Sequence, residues 1–227
     1  MHVREFVQHL IRNNRRGIML DIDDTLGNTA LYWFQSALAR HPNPEALTAR
    51  ELQRTYRYVQ NVPCWQEPTI LAEFTQQEYD PQFHATVPVI RAAQVVVNQI
   101  HKRLAPVLGY LTARVEKLRS VTEQWLLEHR FPVAPILMRP SGMSRRESCA
   151  EKVRILAETY PWVQGLVEDN PSIADALPKK HVGTLYLYDH FYHVRQGQQI
   201  VPCASWSRVF HEVQLRHPAP QVNMAQR

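Results

Sequence analysis

Residues 17–26, "GIMLDIDDTL", run a short apolar stretch straight into the carboxylates Asp21, Asp23 and Asp24. The apolar part has the length and composition of a buried strand. In an extended segment residues i and i+2 point to the same side, so Asp21 and Asp23 can face one reacting centre. At ~5 Å and an effective dielectric of ~20 they would oppose each other by ~3 kcal/mol. That is ~2 pKa units. Such a cluster needs a solvated turn, a bound cation or a retained proton. One carboxylate can then act as nucleophile and the other as acid. The alternative is that Asp23, Asp24 and Thr25 only cap a following helix.

Working outward, Val3, Phe6, Val7, Leu10 and Ile11 keep helical spacing, which predicts an amphipathic helix over 2–14. From 29 to about 105 the pattern is helical, broken at "HPNP" and "NVPCWQEP", with "VPVIRAAQVVVNQIHKRLA" its clearest helix. Beyond Pro106 strands alternate with helices: "VLGYLT", a helix over 114–130, "APILMR", a helix over 147–160, "GLVED", a short helix from Pro171, then "TLYLYD". This alternation predicts an α/β fold, a doubly wound parallel sheet of about five strands with right-handed crossovers. Residues 1–28 and 106–215 would form the core, 29–105 an inserted helical cap, and 216–227 a flexible tail. In such sheets the ligand lies beyond the carboxyl ends of the strands. The acidic cluster, Thr112 and Asp169 all fall at such ends.

Hydrophobic residues make up 44% of the 227, enough for a sizeable core, which argues against global disorder. The formal charge of +5 suits a phosphorylated or polyanionic ligand, but the basic residues are spread along the chain, so a solvated surface is the preferred reading. Cys64, Cys149 and Cys203 form no CxxC pair, and neither a disulfide framework nor a cysteine zinc site is indicated. No apolar run reaches the ~20 residues of a membrane span, and residues 1–17 lack a signal-peptide block. The expectation is a soluble, cytoplasmic protein.

"LDIDDTL" resembles the first motif of the haloacid dehalogenase (HAD) superfamily, whose members are mostly Mg²⁺-dependent phosphatases. Thr112 in "GYLTAR" is similar to the second motif, Lys152 in "SCAEKVRIL" to the third, and Asp169 in "GLVEDN" to the fourth. The resemblance covers the core and implies roles. Asp21 would attack phosphorus. Asp23 would protonate the leaving oxygen and then activate water. Thr112 and Lys152 would hold the phosphoryl oxygens. Mg²⁺ would lie on the Asp21 carboxylate, the Asp23 backbone carbonyl and Asp169. The acid at Asp23 favours a phosphoester over a carbon–halogen substrate, because an alkoxide leaving group needs a proton and a halide does not. The implied partner is a small phosphorylated metabolite or nucleotide.

Two alternatives remain open at this point. Arg114 and the arginines of "MRPSGMSRRES" resemble, loosely, segments of polynucleotide 3′-phosphatases, and Arg114 could reach a substrate phosphate or merely begin a helix. A HAD-fold binding protein without turnover is the other, and the intact motif residues argue against it. Asp24, where many relatives carry Gly, is given a structural role. Asp175 reads as a surface acid, His190 and His193 as a polar loop, and Lys179 and Lys180 as a solvated turn. The aromatics of the insertion, among them Trp33, Tyr58, Trp65 and Phe74, read mostly as cap core.

Overall fold

The computed structural model describes residues 2–178, 183–192 and 199–217. Lys179, Lys180, His193 and the expected tail from 218 onward lie outside the described residues. The elements in order are α1 (Val3–Asn13), β1 (Gly17–Leu20), α2 (Thr29–Leu38), α3 (Ala49–Tyr56), α4 (Pro68–Glu78), α5 (Pro81–Ala85), α6 (Ala93–Arg103), β2 (Val107–Val115), α7 (Arg119–Glu128), β3 (Ile136–Arg139), α8 (Arg145–Thr159), β4 (Val163–Glu168), α9 (Pro171–Ala176), β5 (Thr184–Tyr188), β6 (Ile200–Cys203) and α10 (Trp206–Arg216). The sheet is parallel throughout, in the order β3-β2-β1-β4-β5-β6.

The sheet has six strands, not about five. The extra one, β6, is "IVPC", a short edge strand whose Pro202 hides it in sequence; proline is tolerated there because an edge leaves one side of the ladder unpaired. Its residues pair with β5 from Leu185↔Ile200 to Tyr188↔Cys203.

β1 lies between β2 and β4, and Ile18, Met19 and Leu20 are completely buried. Alternation sends Ile18 and Leu20 to one face and Met19 to the other. The first face packs under α6, α7 and α10 through Val97, Ile100, Trp125, Trp206 and Val213. The second packs under α1, α8 and α9 through Phe6, Leu10, Ile155, Leu156 and Ile173. Burying each large apolar side chain contributes about 1.5–3 kcal/mol. Gly17 is demanded by crowding, since a Cβ there would sit 2.0 Å from the Pro106 carbonyl oxygen.

Three boundaries differ from the sequence expectation. β2 continues to Val115, so Thr112 is inside the strand rather than at its end, and Arg114 is a strand residue. α8 begins at Arg145, capped by the reciprocal Ser144–Glu147 pair, which puts Lys152 in mid-helix. The helix expected over 87–105 starts only at Ala93. Val89 bridges Gly27 in an antiparallel pair, and Ile90 donates to the Leu26 carbonyl, so this stretch is extended where the chain re-enters the core. α6 itself belongs to the sheet's buried cluster. A separate cluster of Phe34, Leu52, Val59, Val62, Trp65, Ile70 and Phe74 holds α2, α3 and α4 together as a helical unit with its own small core.

Candidate functional site

β1 ends by handing the chain to a tight turn. The Asp21 amide donates to the Val167 carbonyl at 2.9 Å, extending the β1–β4 ladder by one residue. Ile22 points into the core with no exposure, and Asp21 and Asp23 therefore share the opposite side and line one crevice. Leu26 and Gly27 both donate to the Ile22 carbonyl and close the turn. Asp24 occupies the left-handed region, φ 57°, a conformation that favours Gly and is tolerated by Asp and Asn. Its Oδ1 accepts from the Ala30 amide at 2.8 Å, satisfying an orphan donor in the first turn of α2. The structural role expected of Asp24 is thus a helix cap. Burial, opposed by that amide and reinforced by neighbouring Asp23, raises its carboxyl to about 7.

The crevice is open at its mouth and holds about 180 Å³ of space accessible to a water-sized group. Its floor comes from the carboxyl ends of β1, β2 and β4, with Lys152 and Cys149 from α8 at one side. Trp33, Tyr58, Glu78 and His84 from the insertion form the facing wall.

Lys152 is the hub of the buried charges. Its Nζ donates to Asp21 Oδ1 at 2.6 Å and to Glu168 Oε2 at 2.7 Å, and all three side chains are almost fully buried. Burial disfavours the ammonium, but the two carboxylates outweigh it and hold the lysine well above its usual value. Asp21 is pushed the other way. Burial first, then the charge of Glu168, raise it well above the carboxylate range, with Lys152 only partly offsetting them. Asp169 is raised in the same manner by burial, Glu168, Asp24 and Asp21.

Asp23 has the opposite environment. Burial raises its carboxyl, but Arg114, with help from His84 and Thr29, outweighs burial and holds it well below the usual range. Arg114 Nε donates to both Asp23 oxygens at 3.1 Å, and Nη2 donates to Oδ1 at 2.8 Å. The guanidinium is itself fixed. It is 1% exposed, lies over the Trp125 ring at 5.8 Å, and donates through Nη1 to Thr122 at 3.4 Å. Thr29 adds a short hydroxyl bond to Asp23 Oδ1, 2.6 Å.

Of the residues expected from sequence, Asp21, Asp23, Arg114, Lys152 and Asp169 line this one crevice. Thr112 does not. It is buried, its hydroxyl accepts from the Arg114 amide at 3.1 Å, and the crevice wall there is made by Ala113 and Arg114 instead. Asp175 is exposed, as expected of a surface acid. His190 donates from its ring to the Asp169 carbonyl at 2.9 Å and so supports the acid loop. Residues not singled out in the sequence also belong here. Glu168 is almost completely buried and shares Lys152 with Asp21; its signal was the acidic pair at the end of β4. His84 carries no local pattern that marks it, and Arg139, one of the arginines of "MRPSGMSRRES", also lines the crevice.

Asp21, Glu168 and Asp169 each offer a carboxylate oxygen, all within 4.8 Å of one another. This is an all-oxygen, hard donor set, and the raised affinity of Asp21 and Asp169 for protons comes from burial first and then from neighbouring carboxylates that Lys152 only partly offsets. The residues fit a hard divalent cation of the Mg²⁺ type.

No protein-family model matches the chain, and no curated protein matches it in sequence. Among solved structures, it is similar to Protein Tyrosine Kinase A (PtkA) of Mycobacterium tuberculosis, with a TM-score of 0.56 and 14% identity over 86% of this chain and 96% of that one. It is also similar to a HAD-superfamily hydrolase, subfamily IA variant 1, from Geobacter sulfurreducens PCA, with a TM-score of 0.46 and 11% identity over 79% of this chain and 89% of that one. No described helix is long and apolar enough to cross a membrane. At these identities the comparisons speak to fold alone, and it is the fold that the chain shares with the mycobacterial structure.

Proposed function

We propose that the crevice hydrolyses phosphomonoesters through an aspartyl-phosphate on Asp21, as in the HAD phosphatases whose motifs the sequence resembles. The observation that carries this reading is Asp21 itself: a buried carboxylate at the end of the central strand, bonded to a lysine and facing a second carboxylate two residues on. An Asp21 oxygen attacks phosphorus, the leaving alkoxide takes a proton, and water then cleaves the acyl phosphate. Lys152 balances the charge gathered on the phosphoryl oxygens. Mg²⁺, when bound by Asp21, Glu168 and Asp169, would supply further neutralisation of that charge.

Asp23 serves as the acid–base group, and Arg114 sets its timing. In the state described here the guanidinium keeps Asp23 ionised, the form needed to take a proton from water. An arriving phosphoryl group competes for the same guanidinium. Weakening that pairing lets Asp23 take up the proton it gives to the leaving oxygen. Arg114 is therefore assigned to the substrate phosphate as well as to Asp23.

The polynucleotide reading is not favoured. Arg139, counted on for a nucleic-acid backbone, donates Nε to the Ala113 carbonyl, Nη1 to the Met143 carbonyl and Nη2 to Glu78. A small phosphorylated molecule suits the crevice better. The test is turnover of p-nitrophenyl phosphate with Mg²⁺. EDTA should abolish it and excess Mg²⁺ restore it. Asp21→Asn should reduce it by about 10³-fold or more, the scale expected on losing a covalent nucleophile. A wild-type rate in Asp21→Asn would overturn the covalent mechanism.

A further inference from the structure

His84 sits on α5 in the wall that the insertion contributes, and its ring borders the same crevice as Asp23 and Arg114. It is only 5% exposed. Its Nε2 lies 3.0 Å from the Glu78 carbonyl oxygen, which can only accept, so Nε2 carries the hydrogen. The other nitrogen, Nδ1, is buried and has no hydrogen-bond partner among the described residues. Burial first, then the nearby Arg114 charge, depress the basicity of the ring, with Asp23 and Asp80 opposing them. Nδ1 is accordingly a neutral acceptor carrying an unused lone pair.

The rest of the ring is held in place. Phe83 packs edge-to-face against it, with centroids 5.5 Å apart. Phe83 in turn meets Tyr32 at 5.1 Å and Trp33 at 5.6 Å. The ring is therefore positioned by packing and by Glu78, while one polar atom is left without a partner on a residue that lines the crevice.

We propose that His84 Nδ1 is a specificity contact that accepts a hydrogen bond from a hydroxyl or amino group borne by the leaving alcohol next to the ester oxygen. The substrate class is then a phosphomonoester with a neighbouring donor, such as a sugar, polyol or ribonucleotide phosphate, in preference to the same ester without it. This rests on the phosphatase reading for its turnover assay but not for its binding assay. A site that hydrogen-bonds a substrate hydroxyl discriminates against the analogue lacking it, because a buried group is then left unpaired.

The experiment uses matched pairs: adenosine 3′-monophosphate against its 2′-deoxy form, and glycerol 1-phosphate against propyl phosphate. In at least one pair the wild type should favour the donor-bearing member in kcat/KM by about tenfold or more, one hydrogen bond's worth. His84→Gln keeps a donor toward Glu78 and removes the Nδ1 acceptor, and it should collapse that ratio toward one. A second reading avoids turnover and the folding of a His84 variant. In Asp21→Asn, the ¹⁵N resonance of Nδ1 should be that of an unprotonated nitrogen, and should move when the donor-bearing ester binds but not its partner. An equal preference in every pair, a ratio unchanged in His84→Gln, or an Nδ1 resonance indifferent to the donor would overturn the proposal. Absence of turnover with every ester would overturn the phosphatase reading, and the ¹⁵N result would then decide this one.

Discussion

Single residues in this crevice are tuned by their neighbours rather than by their type. Asp21 and Asp23 stand two positions apart, yet one is held by a lysine amid other carboxylates and the other by a locked guanidinium. Their proton affinities are driven in opposite directions, the pattern by which one pair of acids divides two roles. The Lys152 hub makes a direct prediction. Lys152→Met would leave Asp21 and Glu168 buried without their cation, and should cost about 3–5 kcal/mol of stability in urea unfolding, measured with EDTA present. The loss should be smaller at pH 5 than at pH 8. Without the lysine the buried Asp21 carboxyl takes up a proton still more readily in the folded than in the unfolded chain, so the penalty grows as pH rises above the unfolded value. A loss independent of pH would show that Lys152 acts mainly through its packing.

At the scale of elements, the junctions are as constrained as the strands. The His101 ring, at the end of α6, accepts the Val107 amide on Nδ1 at 3.1 Å and so starts β2. Burial, then Arg15 and Lys102, lower its affinity for protons. Above the unfolded value of about 6.5 the ring is neutral in both states and contributes no pH dependence. As pH falls through 6.5 the unfolded chain takes up the proton first, so stability declines toward the lower folded value. His101→Asn, which keeps an acceptor near Nδ1 but does not titrate, should flatten that slope in denaturation midpoints measured from pH 7.5 to 5. Gly17→Ala probes the strand itself. Its Cβ would meet backbone, not a yielding side chain, so β1 must shift from β2 at a cost of about 1–3 kcal/mol. An unchanged unfolding midpoint would contradict the close approach.

The elements also show what was readable beforehand. β1, β4 and the helices around α7 and α8 announce themselves by apolar runs and 3.6-residue spacing, because local burial dictates them. β6 does not, since four residues with a proline carry no period. Residues 87–90 looked helical because Val87, Val89 and Ile90 are apolar at either period; their extended state comes from pairing with Gly27, sixty-odd residues earlier in the chain. The acids were legible as a cluster. The grip of Arg114 on Asp23 was not, for the two meet across 91 positions and nothing local in either segment encodes the contact. The misplacement of Thr112 has the same origin, because the register of β2 against β3 carries that strand past the point where its apolar run ends.

For the molecule as a whole, the insertion is tied to the sheet at the crevice rim. Glu78 on α4 pairs with the buried Arg139 at the end of β3, 3.0 Å apart, and Arg57 reaches Asn170 at 3.3 Å. Glu78→Gln weakens the first tie without disturbing the backbone carbonyl that holds His84. It should speed amide exchange in α2, α3 and α4 while leaving β1 and β4 as protected as before. Uniformly faster exchange across the sheet would instead mark Glu78 as a general stability residue.

β1 comes early in the chain yet lies between two strands that come much later. Lys152 meets Asp21 across 131 positions, and β4 closes the other side of β1 later still. During synthesis Asp21 and Asp23 therefore emerge long before Lys152 and Arg114, the cations that pair with them, and the unfinished chain keeps them in water, where ionised carboxylates are well solvated. The helical unit with its own core can condense while they wait, since its contacts lie close together along the chain. Burial of the acids is deferred until α8 and β4 arrive, making the crevice one of the last parts of the molecule to assemble. A truncated or stalled chain would hold the aspartates without the crevice that buries them.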